Sequence, residues 1–348
     1  RPSKEYRYTG NIIHSDIESG EGYGLRAGYR FDPNQDFHLG GSFLYLDNKI
    51  DLNDMGYLAL NNRAMFNGRT QFKTTNFSKG SIFRSRMFEW GYGFKADSNF
   101  RKQAGNTAFK IESSFIDTSD MVSEIFYRTS GRDFRITRKS PLAPYINMPE
   151  GYGGYVEYNG PRNPIFFYSA RIQREKGSEH SPQLGWKNSY RGMIKYMPTE
   201  FLSFSLFHQE EKEDLWLNWI QDNLLATFER QQRTSIIGMQ WFSGSKHELR
   251  IKTQLVAFTG RNPQSYYGDI DGHLTPANLP IPNITISELA FQIRYRYEFM
   301  PLAYLYLVYS KGGRITADDD EDNMTELYRR PWKDPTDENL TIKLRYRF

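Results

Sequence analysis

A chain of 348 residues with 45 Lys and Arg against 41 Asp and Glu carries a net charge of only +4, too little to argue for nucleic acid. It has no cysteine, which removes disulfides, zinc–thiolate sites and thiol catalysis, and no run of the roughly 18 apolar residues that a membrane-crossing helix needs. Hydrophobic residues make 38% of it and aromatic ones 16%, a balance that suits sheets with one apolar face better than a soluble core of Leu, Ile and Val.

The chain opens without an initiator Met or a signal peptide, on "EYRYTGNII", as a mature or trimmed chain would. Period-two alternation then recurs to the end, and it is the primary mark of half-buried strands. In "GYGLRAGYRF" Tyr23, Leu25, Ala27, Tyr29 and Phe31 share one face, while Arg26 and Arg30 point to the other. "AMFNGRTQFK" sets Phe66, Gly68, Thr70 and Phe72 against Asn67, Arg69, Gln71 and Lys73. Farther on, "ELRIKTQLVAF" sets Leu249, Ile251 and Leu255 against Arg250, Lys252 and Gln254. "AFQIRYRYEF" sets Phe291, Ile293, Tyr295, Tyr297 and Phe299 against Gln292, Arg294, Arg296 and Glu298. The pattern predicts about sixteen strands, at 5–13, 21–31, 37–46, 62–74, 81–96, 106–115, 122–138, 152–159, 163–173, 186–197, 200–211, 226–242, 247–259, 284–298, 302–312 and 338–348, and no long helix.

The connections discriminate between all-β architectures. Short ones ("DPNQD", "DTSD", "GPR", "PT", "SGSK", "FMP") alternate with long ones ("KSPLAPYINMPEG", "EKGSEHSPQLG", "KEDLWLNWIQDNLLA", "GRNPQSYYGDIDGHLTPANLPIPN", "GRITADDDEDNMTELYRRPWKDPTDE"). A soluble sandwich has no reason to gather short turns at one end, whereas an outer-membrane barrel does so as a rule. In hydrocarbon every backbone N–H and C=O must be paired within the protein, which a closed sheet achieves. The expected fold is therefore all-β: one domain over 1–348, a transmembrane antiparallel up-and-down barrel with short periplasmic turns and long extracellular loops. The last strand, "NLTIKLRYRF", places Leu340, Ile342, Leu344 and Tyr346 on one face before a terminal Phe348, and Leu344, Tyr346 and Phe348 form the expected assembly signal.

By "NITISELAFQIRYRYEFMPLAYLYLVYSKGG" the sequence is similar to a specific group. With "NDMGYL" at 53–58, "GPRNPIFFYS" at 160–169, "DLWLNWIQDNLLATFERQQ" and "QWFSGSKHELRIKTQLVAF", it resembles the bacterial outer-membrane barrels of the domain-of-unknown-function 5916 type. The resemblance covers most of the chain and is most specific in its later third. It implies a Gram-negative outer membrane, an N-terminal carbohydrate-binding-like domain absent from this chain, and further strands before Arg1. It implies no established activity.

The faces turned inward are rich in cations: Arg250, Lys252, Arg294, Arg296, Lys343, Arg345 and Arg347, with Arg26, Arg30, Arg69 and Lys73 farther back. Fixed positive charge along a lumen concentrates anions, so a channel or porin-like conduit for anionic or saccharide-like solutes is the first reading. The plainer one is a structural ladder, in which these cations pair across strands with Glu298, Glu112 or Glu157. A barrel that anchors or receives a periplasmic or surface protein partner is the alternative function. Outer-membrane lipid and lipopolysaccharide are expected partners in either case; nucleic acid and a cofactor are not.

Asp318, Asp319, Asp320 and Asp322 gather hard oxygen ligands that could hold Ca²⁺, but their spacing departs from the Ca²⁺-loop pattern and lacks its central glycine. A solvated acidic loop is the simpler reading. The six histidines show no metal spacing, and neither GxSxG nor SxxK occurs, so the sequence favours no enzyme. An outer-membrane hydrolase is the third hypothesis, resting on His208 beside Ser203 and Ser205; on a strand those serines face away from His208. In "DLWLNWIQDNLLA" Trp216, Trp219 and Leu225 have a helical, interfacial flavour and are expected on the membrane surface or a partner.

Overall fold

The computed structural model describes residues 5–17, 20–50, 61–138, 140–177, 185–317, 321 and 323–346. Arg347, Phe348, Asp318, Asp319, Asp320 and Asp322 lie outside the described residues. Alternation becomes strand almost throughout. In order these are β1 (Glu5–Ile17), β2 (Gly20–Asp32), β3 (Phe37–Leu46), β4 (Arg63–Thr74), β5 (Phe83–Ala96), β6 (Lys102–Phe115), β7 (Asp120–Arg128), β8 (Gly131–Asp133), β9 (Ile146–Met148) and β10 (Gly151–Asn159). They are followed by β11 (Phe166–Lys176), β12 (Trp186–Thr199), β13 (Leu202–Gln221), β14 (Leu224–Ser243), β15 (His247–Gly268), β16 (Leu274–Pro276), β17 (Ile284–Met300), β18 (Ala303–Ala317), helix α1 (Met324–Lys333) and β19 (Asp337–Arg345).

Each wall strand pairs antiparallel with the next, and β8, β9 and β16 stand outside this meander, so sixteen of nineteen strands build the wall. The excursion that carries β8 and β9 leaves β7 and returns to it, because β10 takes up pairing along β7 itself. No pairing joins β1 to β19 among the described residues, so the sheet is open there, a departure from the expected closed barrel.

In-register pairing puts opposed residues on one face. One such row runs Trp241, Leu249, Tyr295, Leu307, Ile342, and the next runs Phe204, Met239, Ile251, Ile293, Tyr309, Leu340. The same face carries Tyr8 and Ile12 on β1, Trp90 on β5, Ile125 on β7, Ile172 on β11 and Ile194 on β12, all exposed, Ile12 to 84%. Large apolar side chains turned outward over every part of a wall have no place in water and form the lipid-facing band of an outer-membrane barrel.

Two expectations need correction. Residues 214–226 make no loop with helical character: β13 and β14 run through them as a long hairpin closed at Asp222 and Asn223, since the cross-strand pairs Trp216–Phe228 and Trp219–Leu225 outweigh a local helical spacing. The predicted strand at 122–138 ends at Arg128, where the excursion begins. The chain's one helix among the described residues lies in the last long connection. Asn323 caps it, its Oδ1 accepting the N–H groups of Thr325 and Glu326.

Candidate functional site

The polar face of the wall falls into two electrostatic halves. Between β5 and β14 a series of cations and carboxylates pair closely. Lys110 Nζ lies 2.7 Å from Glu112 and 3.6 Å from Glu89. Glu157 holds Arg191 at 2.8 Å and Arg171 at 3.5 Å. Lys187 sits 3.9 Å from both Glu175 and Glu211, and Arg230 lies 3.0 Å from Glu211 and 3.4 Å from Glu213. These groups are half-buried among one another, a ladder that fixes strand register as well as charge.

From β15 to β19 the balance breaks. Register places Arg250 opposite Arg294, Lys252 opposite Gln292, Arg296 opposite Tyr306, Lys343 opposite Tyr306 and Arg345 opposite Tyr304, all on the polar face. Only Arg250 and Arg296 find a carboxylate, and they share Glu248, Arg296 at 3.1 Å. Arg294 and Arg296 also lie over the rings of Tyr306 and Tyr304, at 5.9 and 5.5 Å. Lys252, Arg294, Lys343 and Arg345 have no ion-pair partner among the described residues, and all four are exposed. Six of the seven predicted cations thus share one patch; Arg347 lies outside the described residues.

The ladder reading named the wrong carboxylates for these cations. Glu112 and Glu157 serve Lys110, Arg171 and Arg191, and Glu298 accepts the N–H of Leu302 in its own turn, at 3.1 Å. Glu248 was missed because its partnership with Arg296 depends on the register of β15 against β17, which alternation alone does not give.

The mouth at the long-loop end is roofed. Gly131, in β8, meets the wall so closely that a Cβ there would fall 2.3 Å from the backbone nitrogen of Ala104. This contact lets Arg132 pair parallel with Gln103. From that anchor the segment 131–148 reaches the extensions of β13 to β15. Ile146 packs with Leu217 and Leu225 and with the half-buried Ile136 and Leu274, Arg138 stacks 4.3 Å over Trp219, and Asn147 Nδ2 donates to the carbonyl of Asp271 at 2.8 Å. Trp219 and Leu225 therefore belong to the roof, not to a membrane surface. Trp216 lies against Phe228 and Phe258, with ring centroids 5.9 and 5.4 Å away.

On the outer face His208 finds a serine that sequence adjacency could not supply: Ser235, its register partner on β14, with Oγ 2.8 Å from His208 Nδ1. Ser203 and Ser205 do face the other way. Ser235 Oγ in turn lies 3.3 Å from the Tyr328 hydroxyl of α1, whose Leu327 and Met324 pack on Ala257 and whose Trp332 ring sits 5.0 Å from Phe291. The amphipathic helix thus rests on the outer face at the upper rim of the apolar band, as an interfacial helix does. Lys333 Nζ donates to Glu326 at 2.8 Å and holds that carboxyl below its ordinary range. His208, Ser235 and Tyr328 act as a clasp for the helix: among the described residues no carboxylate orients His208, and Tyr328 covers the serine.

A family model described as "Domain of unknown function (DUF5916)" matches residues 2–348. No curated protein matches the chain. Among solved structures, a loop L8 deletion mutant of OmpT, an outer membrane protein of Vibrio cholerae, is 9% identical over 90% of this chain and 95% of its own, with a TM-score of 0.35. A bacterial polysaccharide outer membrane secretin is 11% identical over 90% of this chain and 94% of its own, with a TM-score of 0.37.

Proposed function

Since the chain belongs to the DUF5916 family, which brings no assigned activity, we propose from its walls that it is a selective conduit in the outer membrane of a Gram-negative bacterium, taking anionic or saccharide-like solutes along a basic lumen. The observation that carries this reading is the contrast between the two halves of the polar face. A wall that only needed cohesion would pair its cations closely, as Lys110, Arg191 and Arg230 do between β6 and β14. Four exposed cations on β15 to β19 without carboxylates leave a standing positive potential, which raises the local concentration of anions. Tyr304 and Tyr306 add faces on which a sugar ring can stack.

The segment 131–148, packed between β6 and the extensions of β13 to β15, narrows that end of the wall and favours selectivity over a general porin. It also gives the second reading its support: a roof with its own apolar cluster is a formed outer surface on which a surface partner could dock. Lipid covers the apolar band. At its upper rim Arg174 and Lys176 lie over the Trp186 ring at 4.2 and 5.5 Å, where lipopolysaccharide phosphates would be met.

The test is the ion preference of the full chain in planar bilayers. A reversal potential in a KCl gradient that favours chloride, and moves toward potassium in the Lys252→Glu and Arg294→Glu variants, supports the conduit. Absence of conductance, or a preference untouched by both substitutions, defeats it. Stable co-purification of a second protein with a non-conducting barrel would establish the docking reading instead.

A further inference from the structure

Under the roof, on the opposite side from the exposed cationic patch, lies a cavity of about 300 Å³. The wall contributes Arg63 from β4, Lys95 from β5 and Arg128 from β7; the roof contributes Arg132 and Arg135. Among the described residues a single carboxylate, Asp133, lines the same space. Asp133 is engaged locally, its Oδ1 accepting the backbone N–H groups of Arg135 and Ile136 at 2.8 and 3.1 Å and its Oδ2 the Arg135 guanidinium at 3.1 Å. Arg63 Nε is buried with no hydrogen-bond partner among the described residues.

Cations thus outnumber carboxylates around the cavity among the described residues, and the roof meets the wall in backbone contact at Gly131. That excess of positive charge would draw an anion into the space between them. The lining is also half apolar, through Met65, Phe134 and Met148. A bare inorganic ion would leave that part unused, and the volume suits a small organic molecule.

We infer that this cavity is a binding site for a small organic phosphate monoester of sugar-phosphate size. The phosphate would take the arginine forks, which match its oxygens in pairs, and the carbon skeleton would lie along Phe134 and the two methionines. The inference stands on the cavity alone and does not rest on conduction.

Titration calorimetry on the full chain in detergent micelles, with glucose 6-phosphate as probe and glucose as its uncharged counterpart, tests it. Glucose 6-phosphate binds and glucose does not. Binding weakens with salt, and at least tenfold in Arg132→Gln and in Lys95→Gln. Each variant is first shown to keep the gel mobility of the folded barrel, and Arg132→Lys, which keeps the charge but not the fork, retains part of the affinity. Equal binding of the two sugars, no binding of either, or full affinity in both glutamine variants overturns the inference. A barrel that binds the phosphate but passes no current leaves this site standing and sinks only the conduit; one that conducts but does not bind does the reverse.

Discussion

Leu327 has no solvent exposure although its helix lies on the outside of the sheet. Its side chain fills the space over Ala257 beside Met324, so Leu327→Ala should loosen α1 by about 2–4 kcal/mol, the usual cost of emptying a packed leucine site. Faster amide exchange across Met324–Lys333 with an unchanged barrel melting profile would report it. Tyr328→Phe removes one contact to Ser235 and should cost roughly 1 kcal/mol or less. The Glu326–Lys333 brace adds a pH dependence of known sign. A carboxyl held below its ordinary value contributes above the ordinary carboxylate range and loses that contribution as pH falls through its folded value. Protection of α1 should therefore be constant near neutrality and begin to fade below about pH 4. None of these partnerships was legible in the sequence. His208 and Ser235 are 27 positions apart and meet only through the register of β13 against β14, and alternation reports which face a residue takes, not whom it opposes.

Elements were far more legible than partners, and the exceptions share a cause. Every short turn expected at one end is a short turn, because the polar and small residues there interrupt an otherwise unbroken alternation. The misses are segments whose form depends on distant contacts. The β13–β14 hairpin stays extended through Trp216 and Trp219 because β14 and the roof cover them, and the roof is held by Gly131 against β6. A glycine in an ordinary-looking run gives no sign of such an approach. Gly131→Val should force the segment off the wall, since a side chain there would overlap the backbone of Gln103 and Ala104. Limited proteolysis should then cut within 131–148 while the wall strands remain intact, and under the proposed conduit role conductance should rise. A variant with native protease resistance would mean that the roof is held by its far contacts at Ile146 and Asn147 instead.

Large exposed apolar side chains share one face of the wall from Tyr8 on β1 to Leu344 on β19, a pattern readable from alternation and loop lengths, although on β13 and β14 that face also carries the ion pairs of Glu210 with Lys212 and Arg233. Closure was not readable. With sixteen wall strands, an even number, β1 and β19 would run antiparallel if brought together, yet both edges stand unpaired among the described residues. A bilayer tolerates no such edge, because unpaired backbone groups in hydrocarbon cost several kcal/mol each. The strand at this edge therefore offers the sharpest test of which face meets lipid. Ile342 ends the outward row that begins at Trp241, and its neighbour Lys343 points to the other face opposite Tyr306. Ile342→Arg should destabilise the inserted barrel by about 2–4 kcal/mol, the price of a cation near the bilayer midplane. Lys343→Gln should leave stability unchanged within about 0.5 kcal/mol and shift ion preference instead. Urea unfolding of the two variants in lipid vesicles separates the cases. If both are neutral, the face carrying Ile342 meets water and the membrane assignment falls; if Lys343→Gln is the costly one, the two faces are exchanged and the cationic patch lies outside.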